Sequence, residues 1–170
     1  PRHLPTSPFT SYNYHGKGNF ASMVDATVLG ATEVDVEFNG NVNTHSDGVL
    51  LHGIGGWQNC LSAGCTILAV PAVRDRIPVL VDEVTTLTGP GELIDVVVTE
   101  RGIAVNPRRE DLMAAVRGSS LPIRTIQEIK EEVEGIIGGK PDAPELTDDP
   151  VAVIKWVDGT VLDTVWRLAE

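Results

Sequence analysis

Between Glu33 and Cys65 the chain reads EVDVEFNGNVNTHSDGVLLHGIGGWQNCLSAGC, where asparagines, histidines and carboxylates are interspersed with glycines. These residue types are poor material for a core and good material for a ligand-lined loop. Glycine lets backbone N–H groups approach a ligand closely, as a phosphate cradle or an oxyanion hole requires. Gly53-Ile54-Gly55-Gly56, followed by a helix expected over 57–63, would aim free N–H groups at an anion. The same four residues also suit a plain strand-to-helix turn. They lack the third glycine and following acid of a dinucleotide fingerprint, and no Gly-Lys-Ser/Thr follows to make a P-loop.

Other chemistries find less support. His45, Asp47, His52, Cys60 and Cys65 lie close in sequence but have no zinc-ligand spacing, and no metal is expected. Cys60 and Cys65 read as reduced thiols packed on a helix. Ser46 stands beside Asp47, but no G-x-S-x-G elbow supports a triad. A second informative stretch, TERGIAVNPRR from Thr99 to Arg109, follows a predicted strand. Ligands of α/β proteins bind where parallel strands end. Arg101, Arg108 and Arg109 would there hold a carboxylate or phosphate bidentately, or would merely solvate a helix start. Arg74 and Arg76 pose the same choice. Trp57, in the glycine turn, is a candidate to face a ligand, whereas Trp156 and Trp166 read as cross-strand packing.

The elements that must position these residues follow from hydrophobic pattern. Short all-apolar runs at 26–30, 66–70, 78–81 and 95–98 are strands covered on both faces, which predicts a largely parallel aliphatic sheet in an α/β fold covered by helices. Pro107 opens a helix expected to reach Gly118. Thr125 and Glu128 form a capping box for a second, with Ile126, Ile129, Val133, Ile136 and Ile137 on one face and Gly138-Gly139 at its end. The acidic, proline-rich stretch 140–150 reads as a linker within a single domain spanning 1–170. After it, 151–157 and 160–168 flank Asp158-Gly159 as a C-terminal β-hairpin.

With 170 residues the chain suits one domain, and its formal charge of −11 excludes duplex nucleic acid or an anionic membrane as main partner. No apolar run reaches the roughly 20 residues of a membrane span. Pro1-Arg2 opens no signal peptide, so the expectation is a cytoplasmic piece of a longer chain.

EVDVEFNGNVNTHSDGV, GIGGWQNC, RDRIPVLVDEVTT, VVVTERGIAVNPRREDL and the closing VAVIKWVDGTVLD, in this order, resemble the C-terminal half of the citrate lyase alpha chain, a citrate CoA-transferase. The similarity starts at Pro1-Arg2-His3 and runs nearly the full length. It implies the second of two similar α/β domains with an active site between them. It also implies exchange of acetate for citrate on a thioester of coenzyme A, or of the CoA-like prosthetic group of an acyl carrier protein. The implied partners are the N-terminal half, the acyl carrier protein and the lyase subunit, in an oligomer.

The resemblance assigns Ser46, Asp47, Gly48, Gly55 and Gly56 to the acyl or pantetheine end of the site, and Gly53, Trp57 and Asn59 are further candidate substrate or CoA contacts. Asn39 and Asn41 match its FNxN element as donors to thioester or carboxylate, and Asn106, Arg108 and Arg109 match VNPRR. Arg101 is a further anion contact, and Glu33 and Asp47 are the candidate catalytic carboxylates. Where the family usually has Gly-Gly-His-x-Asp, this chain has Gly56-Trp57-Gln58-Asn59. That departure leaves two alternatives: a non-catalytic module that binds CoA or carrier protein, and a CoA-thioester hydrolase.

Overall fold

A computed structural model describes residues 23–139 and 142–169. The chain enters a first sheet with β1 (Thr27–Leu29), crosses to a second with β2 (Glu33–Asp35) and β3 (Gly40–Asn41), and returns after helix α1 (Trp57–Cys60) through β4 (Thr66–Ala69). A small hairpin of β5 (Val73–Arg74) and β6 (Ile77–Pro78) precedes β7 (Leu80–Val81). Strands β8 (Val96–Thr99) and β9 (Gly102–Val105) complete the first sheet, and helices α2 (Glu110–Val116) and α3 (Ile126–Ile137) follow. β10 (Leu146–Lys155) and β11 (Val161–Leu168) form the terminal hairpin. The fold is mixed α/β, as the sequence predicts.

The first sheet has the order β1-β4-β8-β9. Its first three strands are parallel, with Val28 opposite Ile67 and Leu68 opposite Val97. β9 runs back antiparallel, pairing Thr99 with Gly102 and Val96 with Val105. The second sheet, β3-β2-β7, pairs Glu33 with Asn41 and Val34 with Leu80. The aliphatic runs explain the core: Val34, Leu68, Ile94, Val97, Ile129 and Val133 are fully buried.

α3 lays Ile126, Ile129 and Val133 on this core. Its start is fixed by the predicted capping box: Thr125 Oγ1 accepts from Glu128 N, and the Glu128 carboxylate accepts from Thr125 N at 2.8 Å. Gly138, at φ 94°, closes it in the left-handed conformation. Lys130 on the same helix is buried and paired with Asp82 at 2.7 Å and Glu134 at 2.8 Å. Burial pulls its ammonium pKa down, but the hydrogen bonds it donates to those carboxylates outweigh that and leave the pKa raised.

Several boundaries differ from expectation. The run 78–81 is divided into β6 and β7, because Val79 N bonds back to Ala72 O. The helix expected from Pro107 starts at Glu110, since Asn106 holds the preceding turn through its side chain to Arg108 N and its carbonyl to Arg109 N. α1 ends at Cys60 rather than 63. β10 begins at Leu146, inside the stretch read as linker, and takes in Pro150 at an irregularity of the ladder, where a missing N–H is tolerated. Trp156 packs against the core, whereas Trp166 lies opposite Pro150 and is exposed.

Candidate functional site

Strand direction divides the candidate residues between two poles. At the carboxyl ends of β1, β4 and β8 lie Gly30-Ala31, the segment 70–74 and Glu100-Arg101. Only Arg101 of the expected cationic cluster is here, paired at 3.5 Å with Glu132 on α3. β9 carries the chain back along the sheet, so Asn106, Arg108 and Arg109 emerge at the amino ends, beside Asp95 and Gly64. The expectation that these arginines sit where parallel strands end is corrected by that antiparallel return.

At the amino pole the groups are engaged with the protein. Asn106 Nδ2 donates to Gly91 O and Ile94 O, each at 2.8 Å, tying the turn before β8 to the end of β9. Arg109 bridges Asp95 and Asp111 at 2.7 Å each. Its hydrogen bonds to Asp111 and Asp95 raise the guanidinium pKa further, and the same pairing lowers the Asp111 carboxyl to about 2. Arg108 is exposed and loosely paired with Glu37 at 3.5 Å.

The glycine loop leads into α1 at the carboxyl pole. Gly55 adopts φ 61°, a left-handed conformation that glycine tolerates. Gly53 and Gly55 are exposed, and a β-carbon at either would meet open space. Trp57 is not a free aromatic wall. Its Nε1 donates to Gly30 O at 2.8 Å, and its ring lies on Gly40 and Gly89, so the side chain staples the glycine loop to the end of β1 and to the second sheet.

Glu33 and Asn41 anchor a buried polar network. Glu33 accepts from Asn41 Nδ2 at 2.7 Å and from Thr85 N and Oγ1 at 2.8 and 3.0 Å. Asn41 Nδ2 also donates to Thr44 Oγ1, and its Oδ1 accepts from Asn43 N and Thr44 N. Asn39 donates to Asp35 and accepts from Gly91 N at 2.8 Å. The amide donors of Asn41 are thus engaged inside the fold. The sequence reading missed the threonines that complete the network: Thr44, Thr85, Thr86 and Thr88. The run VTTLTG was the available signal, since several hydroxyls near buried carboxylates and amides are natural partners for them.

Of the remaining candidates, Asp47 is exposed and accepts from Val49 N in the 45–49 turn. Gly48, at φ 84°, sits against Leu146 and Leu168 of the terminal hairpin. Ser46 and Glu33 line a cavity of about 380 Å³, whose wall also holds Asp82, Glu83, Glu134 and Asp142. That acidic lining opposes an anionic occupant. Asn59 lines a separate, more apolar cavity of about 420 Å³ with Trp156 and Leu93. Burial raises the thiol pKa of Cys60 and of Cys65, which suits inert thiols. Among the described residues no three His, Cys, Asp or Glu converge as a metal site, and no helix is long and apolar enough to cross a membrane.

An α/β domain with a glycine loop stapled at the carboxyl end of a parallel strand is the class that the geometry defines. The family model for citrate lyase, alpha subunit (CitF), matches residues 1–168, and the chain belongs to that family. It is 41% identical to the citrate lyase alpha chain of Haemophilus influenzae over all of this chain and 34% of the relative. It is 40% identical to the Klebsiella pneumoniae chain over 97% of this chain and 32% of that one. A solved structure assigned as the alpha subunit of citrate lyase in complex with citrate, from Streptococcus mutans, superposes with a TM-score of 0.89 at 41% identity, covering 92% of this chain and 31% of that one. The chain thus spans about a third of the length of the relatives it matches.

Proposed function

We propose that the chain is part of a citrate CoA-transferase, which exchanges acetate for citrate on a thioester of coenzyme A or of a CoA-like group on an acyl carrier protein. Its membership of the citrate lyase alpha family along residues 1–168 carries this reading. In the exchange a carboxylate of citrate attacks the acetyl carbonyl and the thiolate leaves, giving a mixed anhydride. The thiolate then attacks the citryl carbonyl and acetate leaves. Both nucleophiles are already anionic, so the protein's part is orientation and stabilisation of the oxyanions.

In this reading the backbone N–H groups of Gly53, Gly55 and Gly56 supply the oxyanion donors. Trp57 holds their loop in place, and Arg101 lies at the same pole, paired with Glu100 and Glu132. Glu33 and Asn41 keep the underlying loop in shape, with no proton transfer required of Glu33 or of exposed Asp47. Asn59 borders the apolar cavity that would take a pantetheine arm or acyl group. The site is completed by the rest of the alpha subunit, acting in the cytoplasm with the carrier protein and the lyase subunit, and it asks for no metal.

The test combines this chain with the remaining part of an alpha subunit, acetyl-CoA and citrate, and looks for citryl-CoA by mass spectrometry. Its formation is expected; absence of exchange with citrate and with several other carboxylic acids overturns the reading. One observation favours a second reading, a binding module without chemistry: Trp57, which replaces the expected imidazole, is anchored in the fold by its ring and its indole N–H. Coenzyme A binding without turnover would select it.

A further inference from the structure

The cations of this acidic chain are mostly neutralised in place. Arg101, Arg108, Arg109, Arg124, Lys130 and Arg167 each meet a carboxylate within 4 Å among the described residues. Arg74 does not. It is half-buried, and among the described residues its side chain makes a single hydrogen bond, from Nη2 to Ala31 O at 3.1 Å. A guanidinium held by one neutral carbonyl keeps its other N–H donors, in a planar fork, for a ligand.

Its position is as informative as its pairing. Arg74 follows the carboxyl end of β4 and reaches Ala31 at the carboxyl end of β1, the end at which α/β sheets bind ligands. The neighbouring carbonyl, Gly30 O, is the one that takes the indole N–H of Trp57, the residue directly after the glycine loop. Two successive carbonyls at one strand end therefore hold the glycine loop and an uncompensated cation. A left-handed turn at Asp75, φ 58°, sets the β5–β6 hairpin that presents Arg74.

We propose that Arg74 is an anion-binding residue of this site, taking the paired oxygens of a carboxylate or phosphate group of the bound substrate. The proposal rests on the transferase reading and names the residue that offsets the chain's charge of −11 where the anion must sit. The experiment titrates the chain, combined with the remaining part of an alpha subunit, with citrate and, separately, with coenzyme A by calorimetry, with wild type, Arg74→Gln, Arg74→Lys and Arg117→Gln in this chain. The last is a charge-matched control at the exposed end of α2.

Loss of a charge-assisted contact predicts roughly tenfold or greater weakening in Arg74→Gln, partial recovery in Arg74→Lys and wild-type binding in Arg117→Gln. Weakening confined to citrate assigns a carboxylate, and weakening confined to coenzyme A assigns a phosphate; either supports the proposal. Equal binding by wild type and a folded Arg74→Gln, checked by its thermal unfolding, overturns it while leaving the transferase reading intact. Wild-type protein that binds neither compound overturns both.

Discussion

Trp57 lies so closely on Gly89 that a β-carbon there would stand 2.4 Å from its Cζ3. The contact joins the start of α1 to the strand bridge in which Gly40 and Gly89 exchange backbone hydrogen bonds at 2.9 and 3.0 Å. Loop and second sheet are thus held by one aromatic plate on two glycines. Gly89→Ala should destabilise the chain by about 1–3 kcal/mol through overpacking. In a Trp57→Leu background the same substitution should cost less than about 1 kcal/mol, because the closest clash is gone and the remaining one, with Leu61 Cδ1 at 2.8 Å, is with the end of a flexible side chain. Urea unfolding of the four proteins measures the coupling, and additive effects would show that the ring does not hold this step.

Asn106 and Arg108 are two residues apart and should behave oppositely. Asn106→Ala removes the side-chain donor to Ile94 O and to Gly91 O, which keeps only Ile94 N at 3.2 Å, and should cost about 2 kcal/mol. Arg108→Gln removes only an exposed pairing and should change stability by less than about 0.5 kcal/mol. Acyl exchange should also be insensitive to Arg108→Gln, since that arginine emerges at the pole away from the glycine loop. A large loss of exchange in that variant would return Arg108 to the site.

Acid should unfold the protein partly through three carboxylates. Pairing with Arg109 lowers Asp111 to about 2, the capping bonds from Thr125 lower Glu128, and the bond from Arg124 lowers Glu132. Groups whose pKa is depressed on folding bind fewer protons in the native state. Their contribution is therefore complete above the unfolded values, near pH 4, and is lost as pH falls toward about 2. Melting temperature followed from pH 6 to pH 2 should drop over that window, and Asp111→Asn should make the drop shallower. An unchanged profile in the variant would show that Arg109–Asp111 does not contribute.

The parts of this fold that were legible in the sequence are those set by local chemistry. Thr125 and Glu128 announce a helix start because both halves of a capping box lie within four residues, and the terminal hairpin is carried by Asp158-Gly159. The VVV run of β8 reads as a strand covered on both faces because no polar position interrupts it; in the fold Val97 is buried and Val96 and Val98 are half-buried. What could not be read was direction. Whether the chain after Thr99 runs into a crossover helix or doubles back as β9 depends on pairing with Val96–Thr99, and that decision moves Arg108 and Asn106 to the opposite pole. The roles of Glu33 and Asn41 were hidden for a similar reason. Glu33's partner Thr85 is some fifty residues away, and an acid and an amide look the same in sequence whether they face a ligand or one another.

Thr66 and Thr88 offer a last test, because both are fully buried yet differ in what their hydroxyls meet. Thr88 Oγ1 donates to Asn43 Oδ1 at 2.8 Å and accepts from Val42 N, holding the loop that carries Asn41. Thr66 Oγ1 is a buried side-chain atom without a partner among the described residues. Valine has nearly the same shape and suits strand β4, where the Thr66 backbone N–H keeps its 2.6 Å bond to Asp95. Burying a hydroxyl with no partner costs roughly 1–3 kcal/mol, so Thr66→Val should stabilise the chain by about 1 kcal/mol. Thr88→Val should destabilise it by about 1–3 kcal/mol, since Asn43 Oδ1 and Val42 N lose their partner together. Chemical denaturation of both variants reads the two signs. A destabilised Thr66→Val would mean that its hydroxyl is engaged after all, and the amino end of β4 would then deserve a search for what it binds.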